Sequence, residues 1–145
     1  HEIWIYKDVQ MDLHMYTINT LLCFFIIPTM GDVRYVTTSS TVRAFSGGIE
    51  LGYILFSPCL CHILLLEVHK PHRGIGIGTK LVQHAEAKMT KCKTVDVSVG
   101  KLEQHQSRPY GFYSKCGYTW DWWACLWGNP FVMSKKLTHD TRKSV

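Results

Sequence analysis

The sequence predicts an α/β fold, and three observations carry that prediction. A nearly unbroken apolar run from Cys61 to Val68 leads into the glycine-bearing segment Arg73-Gly74-Ile75-Gly76-Ile77-Gly78. Directly after it, Ile77, Leu81, Val82, Ala85 and Met89 recur at helical spacing. Val95, Val97 and Val99 then alternate with Asp96 and Ser98, the period of a strand with one face in a core. Strands and helices that alternate in this way belong to one layered α/β unit.

The remaining elements follow from local pattern. Glu2-Ile3-Trp4-Ile5-Tyr6 is dominated by β-branched and aromatic residues and reads as a first strand. From about Val9 to Ile26 the pattern loosens toward helix. Gly31-Asp32 marks a turn, and Gly47-Gly48 separates two extended runs, Thr41 to Phe45 and Glu50 to Phe56, as a hairpin. Its length and the Pro71 beyond it make Cys61 to Val68 a buried central strand rather than a helix. In the helix after the glycines, Lys80, Gln83, His84, Glu86 and Lys88 fill the polar face. A shorter helix is expected over Gln104 to Lys115, and two strands, Trp120 to Trp127 and Phe131 to Leu137, close the chain.

At 145 residues, positions 1–145 are expected to form a single domain, because a chain of that size buries roughly 70% of its unfolded surface in one core. Hydrophobic residues make up 46% and charged residues 19%, which excludes the profile of a disordered chain. The cysteines Cys23, Cys59, Cys61, Cys92, Cys116 and Cys125 form no C-x-x-C pair and follow no signal peptide. Reduced thiols, no metal site and a cytoplasmic location are therefore expected. The run Leu21 to Ile27 is too short to cross a bilayer and stops at Pro28, so no membrane partner is expected. A formal charge of +5 favours anionic ligands, but Lys and Arg form no long stripe and no helix-turn-helix, zinc-finger or RNP signature is present. No nucleic-acid partner is expected.

The glycine segment carries the chemistry. The first N–H groups of a helix lack intrahelical acceptors, and the helix dipole puts partial positive charge at that end, so a phosphate satisfies both. Gly74, Gly76 and Gly78 remove β-carbons that would hold a diphosphate away from the backbone, and Arg73 adds a cation. His69, Lys70 and His72 raise the potential further. A P-loop is excluded, because a motif opened by Gly74 with Lys80 as its lysine has Thr79 and Leu81 where a glycine and a hydroxyl residue belong. A dinucleotide fingerprint starting at Gly74 would need glycine at Thr79, and Asp96 lies within its strand rather than at the end, which argues against a nucleotide-dependent oxidoreductase.

Residues Val68 to Gly78 resemble the signature of the GNAT superfamily of acetyltransferases, [RQ]-x-x-G-x-[GA], with Arg73, Gly76 and Gly78 at its defining positions. Farther on, Phe112-Tyr113-Ser114-Lys115-Cys116-Gly117-Tyr118 is similar to the family's second signature, F-Y-x-K-x-G-[FY]. The two occur in order, and the resemblance covers about Glu50 to Leu137. Where the second signature usually opens N-x-x-A, this chain has Gln106 and Pro109; Gln106 still offers an amide to a cofactor, and Pro109 delays the start of the helix.

The resemblance implies a mixed, mostly antiparallel central sheet with helices on both faces and a splayed pair of parallel central strands. It implies acetyl-CoA as cosubstrate, with the pantetheine arm along Leu66, Glu67 and Val68, the diphosphate on Arg73, Gly74, Ile75, Gly76, Ile77, Gly78 and Thr79, and contacts from Gln106 and Tyr113. Lys80 or Lys115 would meet the 3′-phosphate. The implied reaction is direct transfer of the acetyl group to a primary amine in a ternary complex, and a homodimer is compatible with it.

An alkylammonium with a pKa of about 10.4 must lose a proton before attack, so a base is required. Tyr113 matches the family's proton donor to the departing thiolate. His62 lies eleven residues before Arg73, where the histone-acetylating branch carries a glutamate, and an imidazole there can accept the proton. Glu67 and Glu50 are alternatives. Trp120, Trp122, Trp123 and Trp127 fall where the family forms a wall of the acceptor cleft, and aromatic faces attract cations. A non-catalytic acyl-CoA-binding module of the same fold is the competing reading.

Overall fold

In the computed structural model, which describes residues 32–99, 108–129 and 131–138, the alternating patterns resolve into one seven-stranded sheet. The strands are β1 (Arg34–Thr37), β2 (Thr41–Ser46), β3 (Ile49–Ser57), β4 (His62–Val68), β5 (Thr94–Ser98), β6 (Thr119–Trp120) and β7 (Val132–Lys136). Their order across the sheet is β1-β2-β3-β4-β5-β7-β6. Every neighbouring pair is antiparallel except β4 and β5, which run parallel. The helices among the described residues are α1 (Ile77–Lys88), α2 (Arg108–Lys115) and α3 (Trp122–Leu126), with a 3-10 turn at Lys70–His72.

The core lies between α1 and the sheet. Val42, Ala44, Ile54, Phe56, Ile63, Val95 and Val97 from the strands meet Ile77, Leu81, Val82, Ala85 and Met89, all at most 2% exposed. Each large side chain buried to that degree contributes about 1.5–3 kcal/mol. Gly47 and Gly48 turn the β2–β3 hairpin at φ +56° and +79°, values that side chains with a β-carbon rarely adopt. Gly52 answers a different need: a β-carbon there would lie 2.5 Å from the Glu67 carbonyl oxygen, so its absence lets β3 close on the end of β4.

Several expectations need correction. The strand at residues 2–6 and the helix at about 9–26 fall outside the described residues. β1 was not anticipated, although Val33-Arg34-Tyr35-Val36-Thr37 has the composition of a strand. β4 is central in position but not buried throughout: among its residues only Ile63 is buried, and Leu64 is 60% exposed. A register shift between Leu55 and Phe56 pairs Leu55 with Leu65 and Phe56 with Ile63, which breaks the alternation at Leu64.

The predicted strand over Trp120 to Trp127 is β6 followed by α3. Asp121 is the reason: its Oδ1 accepts the backbone N–H of Trp123 at 3.0 Å and of Ala124 at 3.1 Å, an N-cap that starts a helix. The expectation of reduced thiols is overturned at one pair. Cys61, in the turn before β4, is bonded to Cys92, in the loop before β5, with a Cα–Cα separation of 5.7 Å. Cys59, Cys116 and Cys125 are free. Separation in the chain hid the pair, since parallel β4 and β5 start at the same end of the sheet and only that arrangement brings the two residues together.

Candidate functional site

β4 and β5 pair over only two residues, His62 with Asp96 and Ile63 with Val97. Beyond them the strands part. From Leu64 onward β4 stays in antiparallel register with β3, Leu66 opposite Ile54 and Val68 opposite Gly52, while its other edge has no strand partner among the described residues. The divergence opens a cleft of about 250 Å³ lined by Leu64, Leu65, Leu66, Val97, Ser98, Val99 and Tyr113. Leu66 thus lines the cleft, with Glu67 and Val68 next along the same strand.

The chain leaves β4 through the 3-10 turn and enters α1. Gly74 and Gly76 adopt φ of +83° and +91°, and Gly76 is the N-cap residue of α1 in the left-handed region. Glycine is thereby required at both positions. Gly78 has another reason: a β-carbon there would lie 3.1 Å from Cε2 of Phe112, so the glycine lets α2 seat against the first turn of α1. Ile77 is core, not lining, whereas Ile75 is half-buried and Thr79 exposed beside it.

The expected cation cluster is arranged differently. Arg73 Nε donates to the Val68 carbonyl oxygen at 2.7 Å, which fastens the loop to the end of β4. His72 turns inward and is buried, its Nδ1 without a hydrogen-bond partner among the described residues. His69 faces carboxylates, with Nε2 3.5 Å from Glu50 and Nδ1 3.9 Å from Glu67.

Tyr113 projects from α2 into the cleft and is 7% exposed. Burial first, and the neighbouring Cys116 second, push its phenol well above the usual value, so it carries its proton throughout the physiological range. Its seat is built from the second signature. The Tyr113 ring lies edge-on to Tyr118, with centroids 5.6 Å apart, and the Tyr118 N–H donates to the Tyr113 carbonyl. The Tyr118 hydroxyl donates to Glu86 Oε1 at 2.8 Å, and Lys135 Nζ bonds both Glu86 oxygens at 3.1 and 3.0 Å. Glu86, expected on the polar face of α1, is only 1% exposed. Helical periodicity alone could not place it, because a buried carboxylate needs partners from other elements.

His62 is half-buried at the closed end of the cleft, next to Asp96. The alternatives are otherwise engaged: Glu50 accepts from Arg43 Nη1 at 2.5 Å, and Glu67 accepts from the Tyr53 hydroxyl at 3.2 Å. Gln106 lies outside the described residues; Pro109 stands in the first turn of α2, where proline is tolerated. Trp120 stacks on Tyr110, while Trp122, Trp123 and Trp127 are 73%, 75% and 87% exposed. Trp120, Asp121, Trp122 and Cys125 line a small depression of about 150 Å³.

The family model described as Acetyltransferase (GNAT) domain matches residues 37–120, more than half of the chain. This chain belongs to the GNAT acetyltransferase family. Solved GNAT structures share its fold at low identity. The PaiA N-acetyltransferase of Thermoplasma acidophilum, solved with coenzyme A, aligns with a TM-score of 0.51 and 23% identity over 67% of this chain. The match spans 60% of that protein, less than two thirds of its length. Ard1 of Thermoplasma volcanium aligns at 0.56 with 18% identity, covering 69% of this chain and 72% of its own. Naa50 of Arabidopsis thaliana, bound to the bisubstrate analogue CoA-Ac-MVNAL, aligns at 0.50 with 23% identity over 67% and 72% of the two chains. Among curated proteins, none matches this chain. Among the described residues, no helix of this GNAT protein is long and apolar enough to cross a membrane, and no group of side chains could hold a metal ion.

Proposed function

We propose that this GNAT protein transfers the acetyl group of acetyl-CoA to a primary amine by direct attack in a ternary complex. One observation supports this above the others: β4 and β5 part immediately after Ile63, and the resulting cleft contains Tyr113. Beyond Ile63 this edge of β4 has no strand partner among the described residues, which suits the amides of a pantetheine arm, and Leu66, Glu67 and Val68 are our assignment for that contact. The glycine turns at Gly74 and Gly76 leave the N-terminal amides of α1 open to a diphosphate, and the Arg73 to Thr79 segment is our assignment for that contact.

In the reaction, His62 takes a proton from the acceptor ammonium. The free amine attacks the thioester carbonyl carbon, the C–S bond breaks, and the coenzyme A thiolate takes the proton of Tyr113. The attacking nitrogen loses its surplus proton to solvent and the phenolate regains one from it, leaving a neutral N-acetyl amine and coenzyme A. Tyr113 keeps its proton at neutral pH, so its hydroxyl is available to hydrogen-bond to the departing sulfur. We place the protein in the cytoplasm, where thiol buffers would act on the Cys61–Cys92 pair.

A non-catalytic acyl-CoA-binding module is the second reading, favoured by the engagement of Glu50 and Glu67 with Arg43, Tyr53 and His69. Calorimetric titration with acetyl-CoA tests both, and no binding at high micromolar ligand removes both. Thiol release against an amine panel then separates them. Tyr113→Phe is expected to lower kcat on the order of 10²-fold with the acetyl-CoA dissociation constant unchanged. Tight binding without turnover for any amine selects the module.

A further inference from the structure

We propose that Asp96 is a positioning residue for His62, holding the imidazole at the closed end of the β4–β5 cleft in the orientation and tautomer that accept the acceptor proton. The proposal rests on the reading of His62 as base. Three features of the sheet carry it.

First, His62 and Asp96 are register partners in the short paired stretch of β4 and β5. Partners in register present their side chains on the same face as neighbours. Second, that face is the one turned away from α1. Ile63, Val95 and Val97 are buried in the core under α1, so the alternation of each strand sends His62 and Asp96 the other way. Ser98 follows Asp96 by two residues on that same face and lines the cleft. Two residues of strand span about 6.6 Å, within reach of one bridging water from the cleft floor.

Third, Asp96 is held rigidly. Its N–H donates to the Cys61 carbonyl at 2.9 Å, and β7 pairs it with Ser134 on the opposite side. A functional side chain on a strand bonded at both edges keeps its place far better than one on a loop. The charged groups that act on Asp96 are His62 and Asp121, and Asp121 is already committed through Oδ1 to two backbone N–H groups of α3.

Burial, and then the like charge of Asp121, raise the Asp96 carboxyl above its ordinary 3.8, while His62 opposes them. A carboxyl with a raised folded value binds its proton more tightly folded than unfolded. Stability is therefore lost as pH climbs from 3.8 through the raised value, and the ionised group costs stability at neutral pH.

Asp96→Asn keeps the shape and removes the charge. In the intact protein it is expected to lower kcat/KM about tenfold. The acetyl-CoA dissociation constant should hold, the melting temperature at pH 7 should rise or stay level, and the ¹⁵N shifts of the His62 ring should report a changed tautomer ratio. Asp96→Glu should recover part of the rate, and adding Asp96→Asn to His62→Ala should cost nothing further. Wild-type kcat/KM in Asp96→Asn, alongside a slow His62→Ala, overturns the role of Asp96 and leaves His62 in place. Additive losses in the double variant, or an unchanged His62 tautomer, also overturn it. A wild-type rate in His62→Ala overturns the base assignment itself, and the Asp96 role with it.

Discussion

Where α1 meets β7, a carboxylate is buried and fully paired, whereas on the opposite face of the sheet carboxylates stay half-buried or exposed. Glu86, 1% exposed, receives Tyr118 and Lys135. On the far face Asp96 is the register partner of His62, Glu50 meets Arg43 and His69, and Glu67 accepts from Tyr53. The strands that feed both faces are the same, since alternation sends Val95 and Val97 to the core and Asp96 to the other side. The difference teaches that the buried face holds Tyr113 still, and the open face leaves side chains free to exchange protons.

Cutting the buried network should have the largest effect. Glu86→Ala strips Lys135 and Tyr118 of their shared acceptor, and denaturant unfolding is expected to show a loss of about 3–5 kcal/mol. Replacing the pair together, as Glu86→Gln with Lys135→Met, should recover most of that loss, because no unpaired charge remains.

Next comes the Cys61–Cys92 bridge, which closes a loop across the paired end of β4 and β5 with a sequence separation of 31. In oxidised protein, Cys92→Ser is expected to cost about 3 kcal/mol, and a thiol reductant should reproduce the shift in melting temperature. Gly78→Ala should follow at about 1–3 kcal/mol, since its β-carbon meets the Phe112 ring 3.1 Å away. Calorimetry should show weaker acetyl-CoA binding in that variant, because α2 and the α1 N-terminus shift together. Trp123→Ala should be smallest. Its side chain is 75% exposed, and a change in thermal unfolding of no more than about 0.5 kcal/mol is expected. A larger loss would show that α3 packs against something on the cleft side of the molecule, and the contrast between the two faces would narrow.

Legibility in the sequence followed the range of the interaction. Local signals reported well: the Gly47-Gly48 hairpin, α1 after its glycines and the valine alternation of β5 all depend on neighbours within a few residues. The Asp121 cap was equally local and was overlooked because aromatic residues dominate the segment after it. Glu86 was misread because its partners, Tyr118 and Lys135, lie 32 and 49 residues away. Tyr113 was visible as a motif position, but its proton-holding burial was not, since that depends on how α2 packs.

By itself, then, the sequence determined the alternation of strands and helix, the glycine turn at the head of α1 and the family signatures around Arg73 and Tyr113, all written in short-range spacing. Tertiary structure alone decided where β4 and β5 part, which cysteines meet, that Glu86 is buried and that His62 stands beside Asp96. The burial of Glu86 depends on Tyr118 and Lys135, and the other outcomes on the parallel register of two strands separated in the chain by the whole of α1; no local pattern specifies either.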